Sequence, residues 1–184
     1  MVDDPPSNVA NAKTSDSVRA DAESFANGVQ NEVCRAVAAG ELVEAQAWLL
    51  TRRHPVTKAL YTEDRYGFVF YKPAAIDNAA RLDEAFFRLR QFAEQSAAVG
   101  VALAVPVRYQ EKPAAGAEAS ADARDAVYLV VEHRALPHPR RRIVFFPAAG
   151  AERDAVHWID LDNSLPPVFA DNCKSVHTLL PALD

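Results

Sequence analysis

The chain has few cysteines and no apolar run of membrane-spanning length. Its only cysteines are Cys34 and Cys173, a scarcity that is typical of proteins in a reducing compartment. We expect both to be small core residues, and a disulfide between them stays open. No stretch approaches the ~20 apolar residues of a membrane helix. The acidic, proline-containing start also lacks the positive charge and apolar run of a signal peptide. We therefore expect a cytoplasmic protein with no membrane partner.

Positive charge is also in short supply. The net charge is −5 at pH 7 and the isoelectric point is near 5.5, which excludes nucleic acid as a general partner because phosphate binding needs a basic surface. The 15 arginines outnumber the five lysines, a bias typical of GC-rich bacterial coding, so a bacterial source is expected. The concentrated basic segment is HPRRR at 138–142.

Motifs for catalysis, metal binding and phosphate binding are missing as well. The five histidines include no i, i+4 pair and no cysteine-rich spacing, and the six glycines form no phosphate-cradling pattern. Cys34 has no family motif around it, and DLDN at 160–163 lacks the glycine and distal glutamate of a calcium loop. We therefore expect no enzyme, no catalytic residue, no cofactor and no metal.

What is present indicates a disordered tail followed by one folded domain. Residues 1–18 are polar and proline-containing, without apolar periodicity, so burial cannot offset the entropy of ordering them. Residues 19–184 are long enough for a single domain with a sizeable core. Within it, the low-complexity segment at 111–124 predicts a mobile loop.

The N-terminal half of the domain shows mainly helical spacing. Apolar residues recur every three or four positions from Phe25 to Leu50, interrupted by Gly40 and followed by Pro55. This pattern predicts a helical hairpin that turns at Gly40, with one kinked helix as the alternative. The aromatic run RYGFVFYK at 65–72 predicts a strand, and the stripe over 76–98 predicts a long helix.

After Gly100 the period of the apolar residues changes from 3.6 to 2. The segments VALAVPVRY (101–109), AVYLVVEHR (126–134), RRIVFF (141–146) and AVHWIDL (155–161) predict a four-stranded antiparallel meander. Pro106 predicts an edge or a bulge in the first of these strands, and a short helix is expected at 172–180. The fold class is α+β, in an order that loosely resembles the layout of profilin-type and PAS-type sandwiches, which implies nothing about function.

Pairing the strands like with like gives a predicted register. Odd-numbered residues, among them Leu129, would form an aliphatic face under the long helix and its Phe86. The even face would carry rows of equivalent residues: Tyr128 with Phe146 and Val156, Val130 with Val144 and Trp158, and Glu132 with Arg142 and Asp160. Arg140 would lie opposite Asp162. This register predicts that the basic hairpin is neutralised by its neighbouring strand, the alternative being an anionic partner.

The even face is the candidate binding surface, since aromatic and basic side chains would share it. The possible partner-binding residues are Tyr128, Phe146, Trp158, Arg140, Arg141 and Arg142. The leading hypothesis is a non-catalytic protein-binding module of the adaptor, secretion-associated chaperone or toxin-neutralising type. The alternative is a small enzyme or ligand sensor with a pocket between the long helix and the sheet. The partner's identity and the oligomeric state stay open.

Overall fold

The fold is a mixed helix and sheet structure built around one antiparallel sheet. The computed structural model describes residues 15–41, 44–54, 56–61, 66–76, 79–109, 123–147, 156–161 and 179–180. The elements are α1 (Ser15–Ala39), β1 (Gln46–Thr51), β2 (Gly67–Tyr71), α2 (Ala79–Gln95), β3 (Ala98–Tyr109), β4 (Arg124–His133), β5 (Arg140–Phe145) and β6 (Trp158–Leu161). The six strands lie in the order β2-β1-β3-β4-β5-β6. Among the described residues, no helix combines the length and hydropathy of a membrane crossing.

The N-terminal helix is single, and the predicted helical hairpin is wrong. Gly40 ends α1 with a φ of 71°, and its N–H bonds to the Val37 carbonyl while the Glu41 N–H bonds to the Ala36 carbonyl, which is a Schellman cap. The following run forms β1 instead of a second helix. A strand buried on both faces is apolar at nearly every position, and over six residues it satisfies helical spacing equally well.

The predicted meander is present as part of a larger sheet. Strands β3 to β6 lie side by side in chain order, and β1 and β2 extend the sheet beyond β3. β1 pairs only with residues 98–104 of β3. Among the described strands, Pro106 therefore has only β4 as a neighbour, which is where a residue without an N–H donor is tolerated.

Each helix covers one face of the sheet. The α2 face is defined by Leu49, Leu103, Tyr128, Val130 and Ile143, which pack against Leu82, Phe86, Leu89 and Ala93 of α2. The α1 face is defined by Trp48, Ala102, Leu129, Val131 and Val144, which pack against Phe25, Val29, Val33 and Val37 of α1. The sheet is thus the middle layer of three.

The predicted register is wrong for β3–β4 and β4–β5 and confirmed for β5–β6. Leu103 pairs with Val130 and Tyr128 pairs with Ile143, so odd residues of one strand share a face with even residues of the next. Leu129 consequently lies under α1, whereas Phe86 belongs to the α2 core. With both faces covered, apolar residues occupy odd and even positions alike, so the sequence pattern does not reveal which face is which.

Glu132 joins the C-terminal residues to the sheet instead of lying in a row with Arg142. Its carboxylate accepts hydrogen bonds from the backbone N–H groups of Leu179 at 2.8 Å and Leu180 at 2.9 Å. Burial raises the pKa of Glu132, opposed by these two N–H donors and by the charges of Arg141 and Arg90. The carboxylate therefore holds Leu179 and Leu180 against the α2 face, where Leu179 is buried.

Several predicted segments fall partly outside the described residues. The predicted tail at 1–18 overlaps α1, which begins at Ser15, so only 1–14 of that segment lies outside. The predicted loop at 111–124 overlaps β4 at Arg124, with 110–122 outside. Most of the predicted helix at 172–180 lies outside too, apart from its last two residues.

Truncating a buried leucine on either face should destabilise the fold strongly. We expect Leu103→Ala on the α2 face and Leu129→Ala on the α1 face each to lower the free energy of unfolding by about 2–5 kcal/mol. The exposed Leu60 supplies the control, because Leu60→Ala should change stability by less than about 0.5 kcal/mol. Urea midpoints measure all three. A loss below about 1 kcal/mol for Leu129→Ala would show that α1 does not cover that face.

Glu132→Gln should change the pH dependence of stability. Because the folded-state pKa is raised, Glu132 contributes stability below the usual carboxyl pKa of about 4.3, and this contribution is lost as the pH rises through the raised value. Gln is uncharged throughout, so its lost hydrogen bond is a constant offset. The variant should therefore gain stability relative to wild type as the pH rises from about 4 to 7. A constant difference in urea midpoints across that range contradicts the raised pKa.

Candidate functional site

The residues predicted to bind a partner do not share one surface. Tyr128 and Arg141 are buried, and their register positions place them on the α2 side of the sheet. Arg140, Arg142 and Trp158 lie on the opposite side, with Trp158 paired to Val144. The predicted even face is therefore not a surface of this protein, because the reversal of faces at β5 separates its members.

Arg140 ties α1 to the sheet. Its guanidinium bonds to the Glu23 carboxylate and lies 3.2 Å from the Asn27 side-chain oxygen. Glu23 and Asn27 are one turn apart on α1, so this arginine fixes that flank of the helix over β5. Its ladder partner is Val131, and the predicted opposite residue, Asp162, lies outside the described residues.

Arg142 is held by its neighbouring strand, as predicted for the basic hairpin. Its Nε lies 2.5 Å from an Asp160 carboxylate oxygen, and its guanidinium lies 4.9 Å from the centroid of the Trp158 ring. Phe146 is half-buried against the α1 core. These contacts engage Arg140 and Arg142 within the chain and leave Trp158, 39% exposed, as a small surface feature beside them.

A larger apolar surface lies at the other end of the sheet, where α1 does not extend. α1 lies across β3, β4 and β5. At the margin of α1, Trp48, which is buried against the helix, pairs with Phe70, and Leu50 pairs with Phe68 on the same face. The rings of Trp48 and Phe70 are 5.8 Å apart. Phe68 is 61% exposed and Phe70 is 49% exposed, so an aromatic surface faces solvent on the edge strand.

This surface is the floor of a cavity, here called the α1–β2 groove, with a volume of about 1100 Å³. One wall is formed by a stripe of α1, namely Asp21, Ser24, Phe25, Gly28, Val29, Glu32 and Ala36. The floor is formed by Trp48, Leu50, Phe68 and Phe70, and Glu41, Gln46, Tyr66 and Lys72 complete the lining. A Cβ added at Gly28 would meet nothing within 4 Å, so the middle of the helical wall is open.

The charges around the groove are mostly negative. Its lining carries the carboxylates of Asp21, Glu32 and Glu41 and the single ammonium of Lys72. Lys72 lies 3.7 Å from Glu44. The groove thus combines an aromatic floor with an acidic helical wall.

Sequence reasoning missed this site because it assigned β1 to a helix. Trp48 and Phe70 become neighbours only when β1 pairs with β2, and a helical β1 removes that pairing. A signal was available in GFVFY, residues 67–71, where no charge or proline interrupts an aromatic strand. Natural edge strands usually carry such residues to prevent pairing with other chains.

Among the residues that the structure describes, the titratable groups with shifted pKa values lie apart from the groove. Burial lowers the pKa of His133, whose Nδ1 accepts the Ala135 N–H, and exposed His157 lies against the Phe145 ring. Burial raises the pKa of the Cys34 thiol, which keeps it protonated and weakly nucleophilic. Within the described ranges, no group of three or more His, Cys, Asp or Glu residues is arranged to hold a metal ion.

The pairing of Arg142 with Asp160 should show itself in charge variants. Arg142→Gln should cost less than about 1 kcal/mol, because the pair is partly exposed. Arg142→Glu should cost more, since it places like charges together, and adding Asp160→Asn should remove the extra loss. Denaturant midpoints of the four proteins, wild type included, complete the comparison. Equal midpoints for Arg142→Gln and Arg142→Glu would exclude a stabilising pair.

Comparison of the chain with protein-family models, with curated proteins and with solved structures finds no match. Any function must therefore be argued from the residues themselves. The α1–β2 groove is the feature that carries the argument, because it joins exposed aromatic side chains to a defined and charged concavity.

Proposed function

We propose that this protein is a non-catalytic protein-binding module whose α1–β2 groove receives an apolar segment of another protein. The observation that carries the proposal is the exposure of Phe68 and Phe70 beside Trp48 on the groove floor. The adaptor, secretion-associated chaperone and toxin-neutralising types all work by such an interaction. The proposal includes a cytoplasmic location in a bacterial cell.

The energetics of the exposed aromatic side chains favour association. Burying apolar surface contributes about 25 cal/mol per Å², and soluble monomers seldom leave contiguous apolar patches uncovered. Aromatic side chains are also common binding anchors, since they supply a large contact area at low entropic cost. A partner that covered Phe68 and Phe70 would recover this free energy, whereas the isolated chain leaves both side chains in water.

The groove replaces the surface expected from the sequence. Tyr128 and Arg141 are buried, and Arg140 and Arg142 bind within the chain, so the basic hairpin offers a partner little. The alternative of an enzyme or ligand sensor placed its pocket between α2 and the sheet. Among the described residues, a cavity beside α2, lined by Tyr71 and Arg88 among others, holds about 50 Å³, well below the ~300 Å³ of small ligand pockets.

Site-specific photo-crosslinking tests the proposal with a matched control. A photoreactive phenylalanine analogue would replace Phe68, Phe70 or Phe87 in turn, in the cell that makes the protein. Phe87 lies on α2, outside the groove, and has the same 61% exposure as Phe68. We expect Phe68 and Phe70 to crosslink to a discrete protein and Phe87 to give none. Equal crosslinking at all three positions, or none at any, would contradict the proposal.

Serine variants separate binding from folding. Phe68→Ser should change the free energy of unfolding by less than about 0.5 kcal/mol, and Phe70→Ser by about 1 kcal/mol or less, because it also removes the cross-strand contact with Trp48. Each should abolish the crosslink from the neighbouring position. Phe87→Ser should change neither. A Phe70→Ser variant that unfolds would show a structural role for the ring, and a folded one that still crosslinks would remove it from the interface.

A further inference from the structure

We propose that the groove binds an amphipathic α-helix with basic residues along one flank, lying beside α1 over β1 and β2. This inference rests on the proposed function and names the kind of partner that the same site fits. Three features of the groove support it: its width, its length and its charge.

The width of the uncovered part of the sheet matches one helix. Neighbouring strands are about 4.8 Å apart, and a helix with its side chains is about 10 Å across, so one helix covers about two strands. α1 lies across the β3 to β5 part of the sheet. Among the described elements, no helix lies over Phe68 and Phe70 of β2, while Trp48 of β1 already lies against α1, so one further helix fits on this face.

The length of the groove matches several helical turns. The wall residues of α1 run from Asp21 to Ala36 at spacings of three and four residues, which is one stripe of the helix. At 1.5 Å per residue this stripe is about 22 Å long, or four turns. Ser24, Gly28 and Ala36 are small, and the open space at Gly28 allows a second helix to pack close to α1.

The charge of the wall determines which flank of the partner faces it. Asp21 and Glu41 contribute negative charge, whereas Glu32 is ion-paired with Arg35 at 2.5 Å and Lys72 lies near Glu44. A partner helix with Lys or Arg on the side that faces α1 would meet complementary potential. The same wall repels anionic lipid headgroups, which favours a protein helix over a membrane surface as the occupant.

An extended segment added to β2 would use the site less completely. Such a strand would lie in the plane of the sheet, where it bonds to the edge of β2. It would leave the half-buried Leu50 and the α1 wall without contact and the concavity unfilled. A helix lying on the floor contacts Leu50, Phe68 and Phe70 together and covers the small part of Trp48 that lines the cavity.

Three synthetic peptides of about 18 residues, roughly five helical turns, test the inference. The first has an apolar helical face with a lysine flank, the second replaces that flank with glutamate, and the third rearranges the first into alternating apolar and polar residues. The full chain carrying Trp158→Phe retains Trp48 as its one tryptophan, which reports on the groove by its fluorescence. Anionic phospholipid vesicles form a fourth arm.

We expect the lysine peptide to change Trp48 emission and to become helical in circular dichroism. The glutamate peptide should bind about tenfold more weakly than the lysine peptide at low salt. This difference in affinity should shrink as added salt screens the exposed charges. The double change Glu32→Gln and Glu41→Gln should reduce the difference in affinity between the lysine and glutamate peptides, whereas Glu84→Gln on α2 should leave it unchanged. Phe70→Ser should weaken the binding of both helical peptides, and Phe87→Ser should leave the affinity for both unchanged.

Other results would overturn the inference. Tighter binding of the alternating peptide would identify a strand as the occupant. Equal affinity for the lysine and glutamate peptides would show that charge complementarity does not contribute. A change in Trp48 emission on adding vesicles would identify a membrane surface as the occupant. No binding of the lysine peptide would refute the helical partner. If Phe68 nevertheless crosslinks to a protein in cells, the proposed protein-binding function stands, but the partner is not a helix. Peptide binding without any cellular crosslink would leave the helix-binding groove and contradict the proposed function.

Discussion

Within the described part of the chain, a wide sheet with one helix on each face is the constraint on which the rest of the structure depends. Six strands are broader than one helix, so each helix leaves some apolar surface at the margins. On the α2 face the remaining margin includes the half-buried Val69 and Tyr71. On the α1 face it is aromatic and open, because α1 lies across the β3 to β5 side. The unequal coverage of the α1 face produces the groove.

The basic hairpin stabilises this arrangement through contacts with α1 and β6. Arg140 bonds to Glu23 and Asn27, on the flank of α1 that faces β5, and so favours the position of the helix away from β1 and β2. Arg142 binds Asp160 on β6. The basic cluster that the sequence offers to an anion is thus used within the chain. Its consequence for function is indirect, since the position of α1 leaves the aromatic floor uncovered.

The sequence predicts elements well where one period dominates and poorly where both faces of a strand are buried. The stripe around Phe86 identifies α2, and alternation identifies the four later strands, including the pairing of Arg142 with Asp160. β1 is apolar at almost every position, so its six residues resemble a helix. Which face each strand presents depends on turn lengths and partner positions that periodicity does not contain, so Leu129 was assigned to the wrong helix. The groove could not be predicted because it depends both on β1 being a strand and on which face of the sheet each strand presents to α1.

The central claim is that the α1–β2 groove is covered when the protein works in the cell. Hydroxyl-radical footprinting compares the oxidation of Phe68 with that of Phe87, two rings of equal exposure in the isolated chain. In purified protein, hydroxyl radicals should oxidise both rings to a similar extent. In living cells, Phe68 should be protected several-fold relative to Phe87, as expected of a buried interface anchor. An unchanged ratio between purified protein and cells would contradict the account.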